Sequence, residues 1–184
     1  HIASSDTVGA EYGALAEAAA SIGDVQVRNR GTIGGSLAHA DPAADYGAAT
    51  LALDAQIELM GPNGQRSVDA TNFFSGFLST SMEPAELITA IRFPSTGNSV
   101  SVYEKFAQPA SGFAIVGVAA KITKQDNCCV AARIAATGIA DRPVRLPIVE
   151  EALTGGELDN PAIVAAADQA DANLENVRAD MYAA

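Results

Sequence analysis

The amino-acid sequence predicts an α+β fold, and three observations lead to that class. Apolar side chains recur at helical spacing through residues 9–24. Two short extended runs flank the turn sequence GPNG at residues 61–64, a pattern typical of a β-hairpin. After residue 99 the sequence reads as strands first and helices afterwards, which is the segregation expected of an α+β domain.

The first half is predicted to begin with two helices. We expect the helix over residues 9–24 to end at Gly23 as its C-cap. A second helical pattern covers residues 42–54, with Asp41 as its N-cap and Pro42 at its first position. The stretch between them is too glycine-dense for a helix, so we expect a loop there.

The remaining elements follow in order along the chain. Residues 71–80 predict a helical turn, and residues 86–94 predict an extended run. The polar segment 95–99 predicts a linker, which divides the chain into domains of residues 1–98 and 99–184. The second domain is predicted to hold three strands (100–108, 112–123 and 128–138) and then two helices (146–155 and 160–174), the last with Asn160 as N-cap and Pro161 at its first position.

Charge and cysteine content exclude several classes of protein. The formal net charge of the 184 residues is −11, which argues against nucleic acid or an anionic membrane surface as a partner. No run approaches the roughly 18 apolar residues that a membrane-spanning helix needs. Cys128 and Cys129 are adjacent, so they offer neither a disulfide framework nor a CxxC metal pattern. We expect small apolar strand residues in a reducing, cytoplasmic setting.

The chemistry of the chain is concentrated in residues 28–45. Gly34 and Gly35 allow the backbone to approach a ligand, and successive N–H groups in such a turn form an anion-binding concavity. Thr32 and Ser36 add hydroxyl groups at either end, and the set suits a pyrophosphate. The alternative is a tight glycine turn between two helices. Neither GxGxxG after a strand nor GxxxxGK[ST] is present.

The stretch VRNRGTIGGSLAHADPAAD resembles the second FAD-binding signature of the flavin (medium) subunit in the molybdenum hydroxylase family. That family includes aerobic carbon monoxide dehydrogenase and xanthine dehydrogenase-like enzymes. The similarity continues through ALDAQIELMGPNGQRSV, FFSGFLSTSMEPAELITAIRFP, YEKFAQPASGFAIVGVAA and ATGIADRPVRL. It implies the second half of a vanillyl-alcohol-oxidase (PCMH)-type FAD-binding domain over residues 1–98. A small C-terminal α+β domain with a three-stranded antiparallel sheet and a helical bundle is then expected over residues 99–184.

The resemblance also implies site residues. The loop that holds the FAD pyrophosphate is matched by Thr32, Ile33, Gly34, Gly35 and Ser36. Asp45 matches an aspartate that contacts the cofactor, Ile22 a side chain that packs on it, and Ile88 an apolar lining residue. Lys105 matches a lysine beside the flavin, where it could stabilise the reduced anionic form; an exposed strand lysine is the alternative.

We expect the other polar residues in the stretch to have structural roles. His39 and Asp41 are too few to hold a metal, and we expect His39 to pack or to hydrogen-bond near the loop. We expect Arg28 and Arg30 to brace the loop through carboxylates, and binding of phosphate is the alternative. No catalytic acid or base is expected, because the cofactor carries the redox chemistry.

The implied function is electron relay through FAD. The flavin would accept electrons from 2Fe-2S clusters on a small subunit and pass them to an external acceptor. A large subunit would carry the molybdenum cofactor, and the intact enzyme would be a dimer of heterotrimers. The family's first glycine-rich loop, of the AGGxSL type, is not in the sequence. We therefore expect an internal segment that binds FAD weakly or not at all alone. The alternatives are a non-catalytic module that supports subunit assembly and a protein that binds another phosphorylated ligand.

Overall fold

The computed structural model of the chain describes residues 1–172 and 174–177. A 3-10 helix covers Ile2–Ser4, and the α-helices in this part are α1 Asp6–Glu11, α2 Gly13–Ser21, α3 Val25–Arg30, α4 Ile33–His39, α5 Asp45–Ala52, α6 Ala70–Phe73, α7 Pro147–Leu153 and α8 Asn160–Ala167. The strands are β1 Gln56–Gly61, β2 Gly64–Asp69, β3 Phe74–Gly76, β4 Ser79–Thr80, β5 Leu87–Arg92, β6 Ser99–Ala107, β7 Ala114–Gln125, β8 Cys128–Thr137 and β9 Val144–Arg145.

Three antiparallel sheets organise these strands. The first half contains a three-stranded sheet in the order β2-β1-β5 and the small β3-β4 hairpin. The turn of the β1-β2 hairpin lies at residues 62–63, so the predicted hairpin is confirmed. The second half forms a four-stranded sheet in the order β6-β7-β8-β9. The predicted three-stranded sheet is wrong by one strand, because the two residues of β9 are too few to show a period of two.

The four-stranded sheet lies between two helical layers and joins the two halves of the chain. Alternate residues of β8 point to opposite faces. Ala135 packs in the core that contains α2 and α5, whereas Ile134 packs with α7 and Leu146. Ser101 of β6 accepts a hydrogen bond at Oγ from the Ala14 N–H, which caps the start of α2 from the other half of the chain. The predicted domain boundary between residues 98 and 99 stays a prediction, and the halves that it separates share one core.

The glycine-rich stretch is helical, and the prediction of a loop there is wrong. Thr32 caps α4, because its Oγ1 accepts a hydrogen bond of 3.0 Å from the Gly35 N–H. Leu37 is only 1% exposed and fixes the helix on the core. A helix cap and one buried leucine therefore outweigh the poor helix propensity of two glycines.

Two predicted helix starts are displaced. Helix α5 begins at Asp45, because the Asp41 carboxylate accepts from the Ala43 N–H and forms a separate turn ahead of the helix. Helix α8 is capped by Asp159 instead of Asn160, so Pro161 is the second residue of the helix and not the first. It ends at residue 167, and residue 173 of the predicted longer helix lies outside the described residues.

The other helical predictions hold in part. The first predicted helix is divided at Tyr12 into α1 and α2. Gly23 follows the end of α2 with a positive φ of 39°, a backbone conformation that favours glycine. The predicted helical turn over residues 71–80 is present as α6, but a β-hairpin follows it directly.

Candidate cofactor site

The N-terminus of α4 presents unpaired backbone donors. Thr32 Oγ1 accepts from the Gly35 N–H, and Thr32 O accepts from the Ser36 N–H. The N–H groups of Ile33 and Gly34 have no partner among residues 1–172 and 174–177, since the first turn of a helix cannot pair them internally. Two adjacent backbone donors beside an exposed threonine hydroxyl suit an anionic oxygen.

An open cavity of about 500 Å³ lies beside these donors. Its wall is mostly apolar and consists of Ile2, Val8, Tyr12, Leu15, Thr32, Ile33, Gly34, Ile88, Thr89, Ala90, Ile91 and Phe93. A β-carbon on Gly34 would lie 3.8 Å from Ile88 Cγ2, so the glycine keeps open the space between α4 and β5. The volume is in the range of ligand pockets, and polar donors at one end of an apolar wall are typical of them.

Four of the predicted site residues meet at this cavity: Thr32, Ile33, Gly34 and Ile88. Gly35 is exposed and does not line it. A β-carbon there would lie 2.9 Å from Thr32 Oγ1, so a glycine at position 35 leaves room for the Thr32 side chain that caps α4. Ser36 is half-buried within α4 and does not line the cavity. The residues present therefore fit a ligand that has a phosphate at one end and an extended apolar body.

Two further predicted residues, Asp45 and Lys105, pair with each other. Lys105 Nζ lies 2.9 Å from Asp45 Oδ1, and the two side chains are only 6% and 5% exposed. The ammonium also donates to Ser21 O at 2.6 Å and to Gly112 O at 2.8 Å. An exposed strand lysine, the alternative considered from the sequence, is therefore wrong. Direct contact of either side chain with a flavin stays a prediction.

Tyr103 belongs to the same cluster, and the sequence did not connect it with Asp45. Its hydroxyl donates to Asp45 Oδ1 at 2.6 Å. Burial, followed by the hydrogen bond to Asp45 and the carboxylate charge, raises the pKa of Tyr103, so the hydroxyl keeps its proton. The available signal was the period of two along β6, which places Tyr103 and Lys105 on one face.

The turn after α2 carries Ile22 and is braced by Arg28. The Arg28 guanidinium donates to the carbonyl oxygens of Ile22 at 2.7 Å and Gly23 at 3.0 Å. Arg28 thus braces backbone through carbonyls, where we expected carboxylates. Ile22 is half-buried and lies next to Ser21, whose carbonyl accepts from Lys105. It does not line the cavity beside α4.

The described part of the chain offers neither a metal site nor a membrane-spanning helix. His39 is exposed at the end of α4, and no group of three or more His, Cys, Asp or Glu side chains there is placed to hold a metal. None of the described helices has the length and hydropathy to cross a membrane.

Comparison with known protein families assigns both halves of the chain to one class of FAD-binding protein. Residues 1–96 match the FAD binding domain in molybdopterin dehydrogenase, and residues 101–183 match the CO dehydrogenase flavoprotein C-terminal domain. The chain belongs to this family, which confirms the resemblance and the α+β fold.

Two curated relatives are similar in sequence to most of this chain. The carbon monoxide dehydrogenase medium chain of Hydrogenophaga pseudoflava is 40% identical over 173 residues, which cover 94% of this chain and 60% of the relative. The glyceraldehyde dehydrogenase medium chain of Sulfolobus acidocaldarius is 36% identical, covering 88% of this chain and 58% of the relative. The chain thus spans about 60% of the length of these curated relatives.

A solved structure from the same family has the same fold as this chain. It is a carbon monoxide dehydrogenase from Hydrogenophaga pseudoflava that lacks the Mo-pyranopterin moiety of its molybdenum cofactor. It superposes with a TM-score of 0.92 at 39% identity, covering 100% of this chain and 64% of that chain.

Proposed function

We propose that the chain serves as the flavin-binding part of a molybdenum hydroxylase and holds FAD in the cavity between α4 and β5. The observation that carries this proposal is the pair of unpaired N–H groups at Ile33 and Gly34, set at one end of a mostly apolar cavity. Family membership supports the same cofactor. When bound, FAD supplies the redox chemistry, taking electrons from iron–sulfur clusters and delivering them to an external acceptor.

The residues of this chain would bind and orient the cofactor. The N–H groups of Ile33 and Gly34 would donate to the pyrophosphate, and the Thr32 cap keeps those groups aligned. Ile88 would exclude water from the apolar part of the cofactor. The resemblance assigns further contacts to Ile22, Asp45 and Lys105, which lie around the end of α2.

The wider assembly belongs to the same proposal. Its partners would be a small subunit with 2Fe-2S clusters and a large subunit with the molybdenum cofactor, in a cytoplasmic dimer of heterotrimers. The medium-chain names of the relatives support a complex with several subunits.

The test is a titration of the ¹⁵N-labelled chain with FAD, followed by amide chemical shifts, because that method registers weak binding. We expect the largest shifts at Ile33, Gly34 and Ile88. Gly34→Ala should reduce them, because its new methyl group projects towards Ile88 at the cavity wall. Gly9→Ala is the matched control, since a β-carbon at Gly9 meets nothing within 4 Å.

Two other outcomes would contradict the proposal. Absence of any shift at millimolar FAD would favour the non-catalytic assembly role. Equal shifts with inorganic pyrophosphate and with FAD would favour a binding site for some other phosphorylated ligand, since the apolar wall would then contribute nothing.

A further inference from the structure

The turn that precedes α5 is held by the second half of the chain. Its three consecutive carbonyl groups, at residues 42–44, all accept hydrogen bonds from the start of β7 or the end of β8. Pro42 O accepts from the Gly138 N–H at 2.7 Å, and Ala43 O accepts from the Ala114 N–H at 3.4 Å. Backbone carbonyls that are shielded from water need such partners, so the turn depends on the strand ends beside it.

Thr137, the last residue of β8, makes the side-chain part of this contact. Its Oγ1 lies 2.5 Å from Pro42 O and 3.0 Å from Ala44 O, and the hydroxyl group donates to these carbonyls. The residue is 0% exposed, so solvent does not substitute for the hydroxyl group when it is removed. Thr137 thus holds the turn at both of its ends.

Asp45 follows this turn directly and begins α5. The N-cap residue Ala44 has no side chain that accepts from the first turn, so contacts from outside the helix fix where it starts. The Asp45 side chain is 5% exposed, accepts from the Tyr103 hydroxyl at 2.6 Å and forms an ion pair with Lys105 at 2.9 Å. A displacement of the turn would therefore move the carboxylate relative to both partners.

The methyl group of Thr137 faces the same buried cluster. Thr137 Cγ2 and the Tyr103 hydroxyl both border the space that Gly117 leaves open, because a β-carbon there would meet both groups. Helix α5 is held a second time at Gly47, where a β-carbon would overlap the ring of Pro143. The two branches of Thr137 therefore face the turn and the tyrosine hydroxyl.

We propose that Thr137 is a positioning residue of the cofactor site, and that its hydroxyl group sets the place of the Asp45 carboxylate through the turn at residues 42–44. The resemblance assigns Asp45 a contact with FAD, so the part of this inference that concerns FAD rests on the proposed function. The part that concerns the carboxylate rests on the contacts alone. A strand of the second half thereby determines where a site residue of the first half lies.

The test compares Thr137→Val with Thr137→Ser and follows the side-chain carboxyl ¹³C resonance of Asp45 in the labelled chain. Valine keeps the branched shape and removes the hydroxyl group, whereas serine keeps the hydroxyl group and removes the methyl group. We expect Thr137→Val to shift the Asp45 resonance and Thr137→Ser to leave it near its wild-type position. Thr50→Val is the matched control, because it removes another fully buried hydroxyl group, one that donates to Gly47 O within α5.

The affinity for FAD, measured from amide shifts of the ¹⁵N-labelled chain, is the second readout. We expect Thr137→Val to raise the dissociation constant by about fivefold to tenfold, the size of one net buried hydrogen bond, and Thr50→Val to leave it unchanged. Pro143→Ala removes the ring that packs on Gly47 and should shift the Asp45 resonance by a smaller amount. This variant keeps the inference testable if Thr137→Val does not fold.

Two outcomes would overturn the inference. An Asp45 resonance that stays at its wild-type position in Thr137→Val, with stability lowered as in Thr50→Val, would show a purely structural role for the hydroxyl group. Equal shifts in Thr137→Val and Thr137→Ser would assign the effect to packing alone. If the wild-type chain binds no FAD, the proposed function fails, while the Asp45 resonance still decides the positioning role.

Discussion

Gly117 on β7 makes room for the Tyr103 hydroxyl on β6. A β-carbon built on Gly117 would overlap the Tyr103 oxygen and lie 2.8 Å from Thr137 Cγ2. The space is needed because the hydroxyl reaches past β7 to donate to Asp45. A single missing methyl group therefore determines whether the buried cluster at the end of α2 can assemble.

Gly117→Ala should destabilise the chain by about 3 kcal/mol, because overpacking of a dense core forces side chains out of their rotamers. Urea unfolding followed by circular dichroism measures the change. Adding Tyr103→Phe should recover only part of the loss, since Thr137 still obstructs the new methyl group. Gly9→Ala, at an open helical position, should leave stability the same or raise it. Wild-type stability for Gly117→Ala would show that Tyr103 lies elsewhere.

Thr32→Ala should cost about 1 kcal/mol of unfolding free energy, because α4 loses its N-cap hydrogen bond. Thr32→Ser keeps a hydroxyl at the same place and is the control. The two variants are compared by urea unfolding, and again by the amide shifts that FAD induces at Ile33 and Gly34. If both variants lose the same amount of stability, the methyl group of Thr32 matters and the cap does not.

The Arg66–Glu86 pair should make stability sensitive to acid. Arg66 donates to both carboxylate oxygens of Glu86 at 2.7 Å, and the Glu83 N–H donates a third hydrogen bond. The hydrogen bonds from Arg66, and then that from Glu83, hold the pKa of Glu86 below its ordinary value of 4.5. A carboxyl with a lowered pKa in the folded state stabilises it above that ordinary value and loses the effect as the pH falls further.

The measurement is the melting temperature between pH 7 and pH 3 for the wild-type chain and for Glu86→Gln. We expect the advantage of the wild type to be constant near neutrality and to shrink below about pH 4.5, where the unfolded carboxyl takes up its proton. Glu104→Gln, at an exposed position on β6, is the control for removing one charge. An advantage that stays the same down to pH 3 would contradict the prediction.

The two adjacent cysteines should differ in reactivity. Cys128 is exposed and Cys129 is buried, and burial raises the pKa of the Cys129 thiol. With Ellman's reagent near neutral pH, we expect one thiol to react at once and the second to react only after denaturation. Cys128→Ser should abolish the fast reaction, and Cys129→Ser should leave it. Two fast thiols would show that β8 is open at Cys129.

The sequence by itself determined the features whose causes are local. The turn at residues 62–63 is encoded by Pro62, Asn63 and Gly64, so the β1-β2 hairpin could be predicted. The long antiparallel strands of the second half could be predicted from the residues within each strand. The glycine motif, a short contiguous pattern, and the similarity that continues along the chain together identified the family.

Only the tertiary structure decided the features whose causes lie far along the chain. The glycine-rich stretch becomes helix α4 because Leu37 is buried in a core built from other segments. Strand β9 exists because β8 offers an edge beside α7. Lys105 pairs with Asp45, 60 positions earlier, and Tyr103 finds the same carboxylate. Periodicity and turn chemistry report on neighbours in sequence, whereas burial and ion pairing depend on which distant residues the packed fold brings within contact.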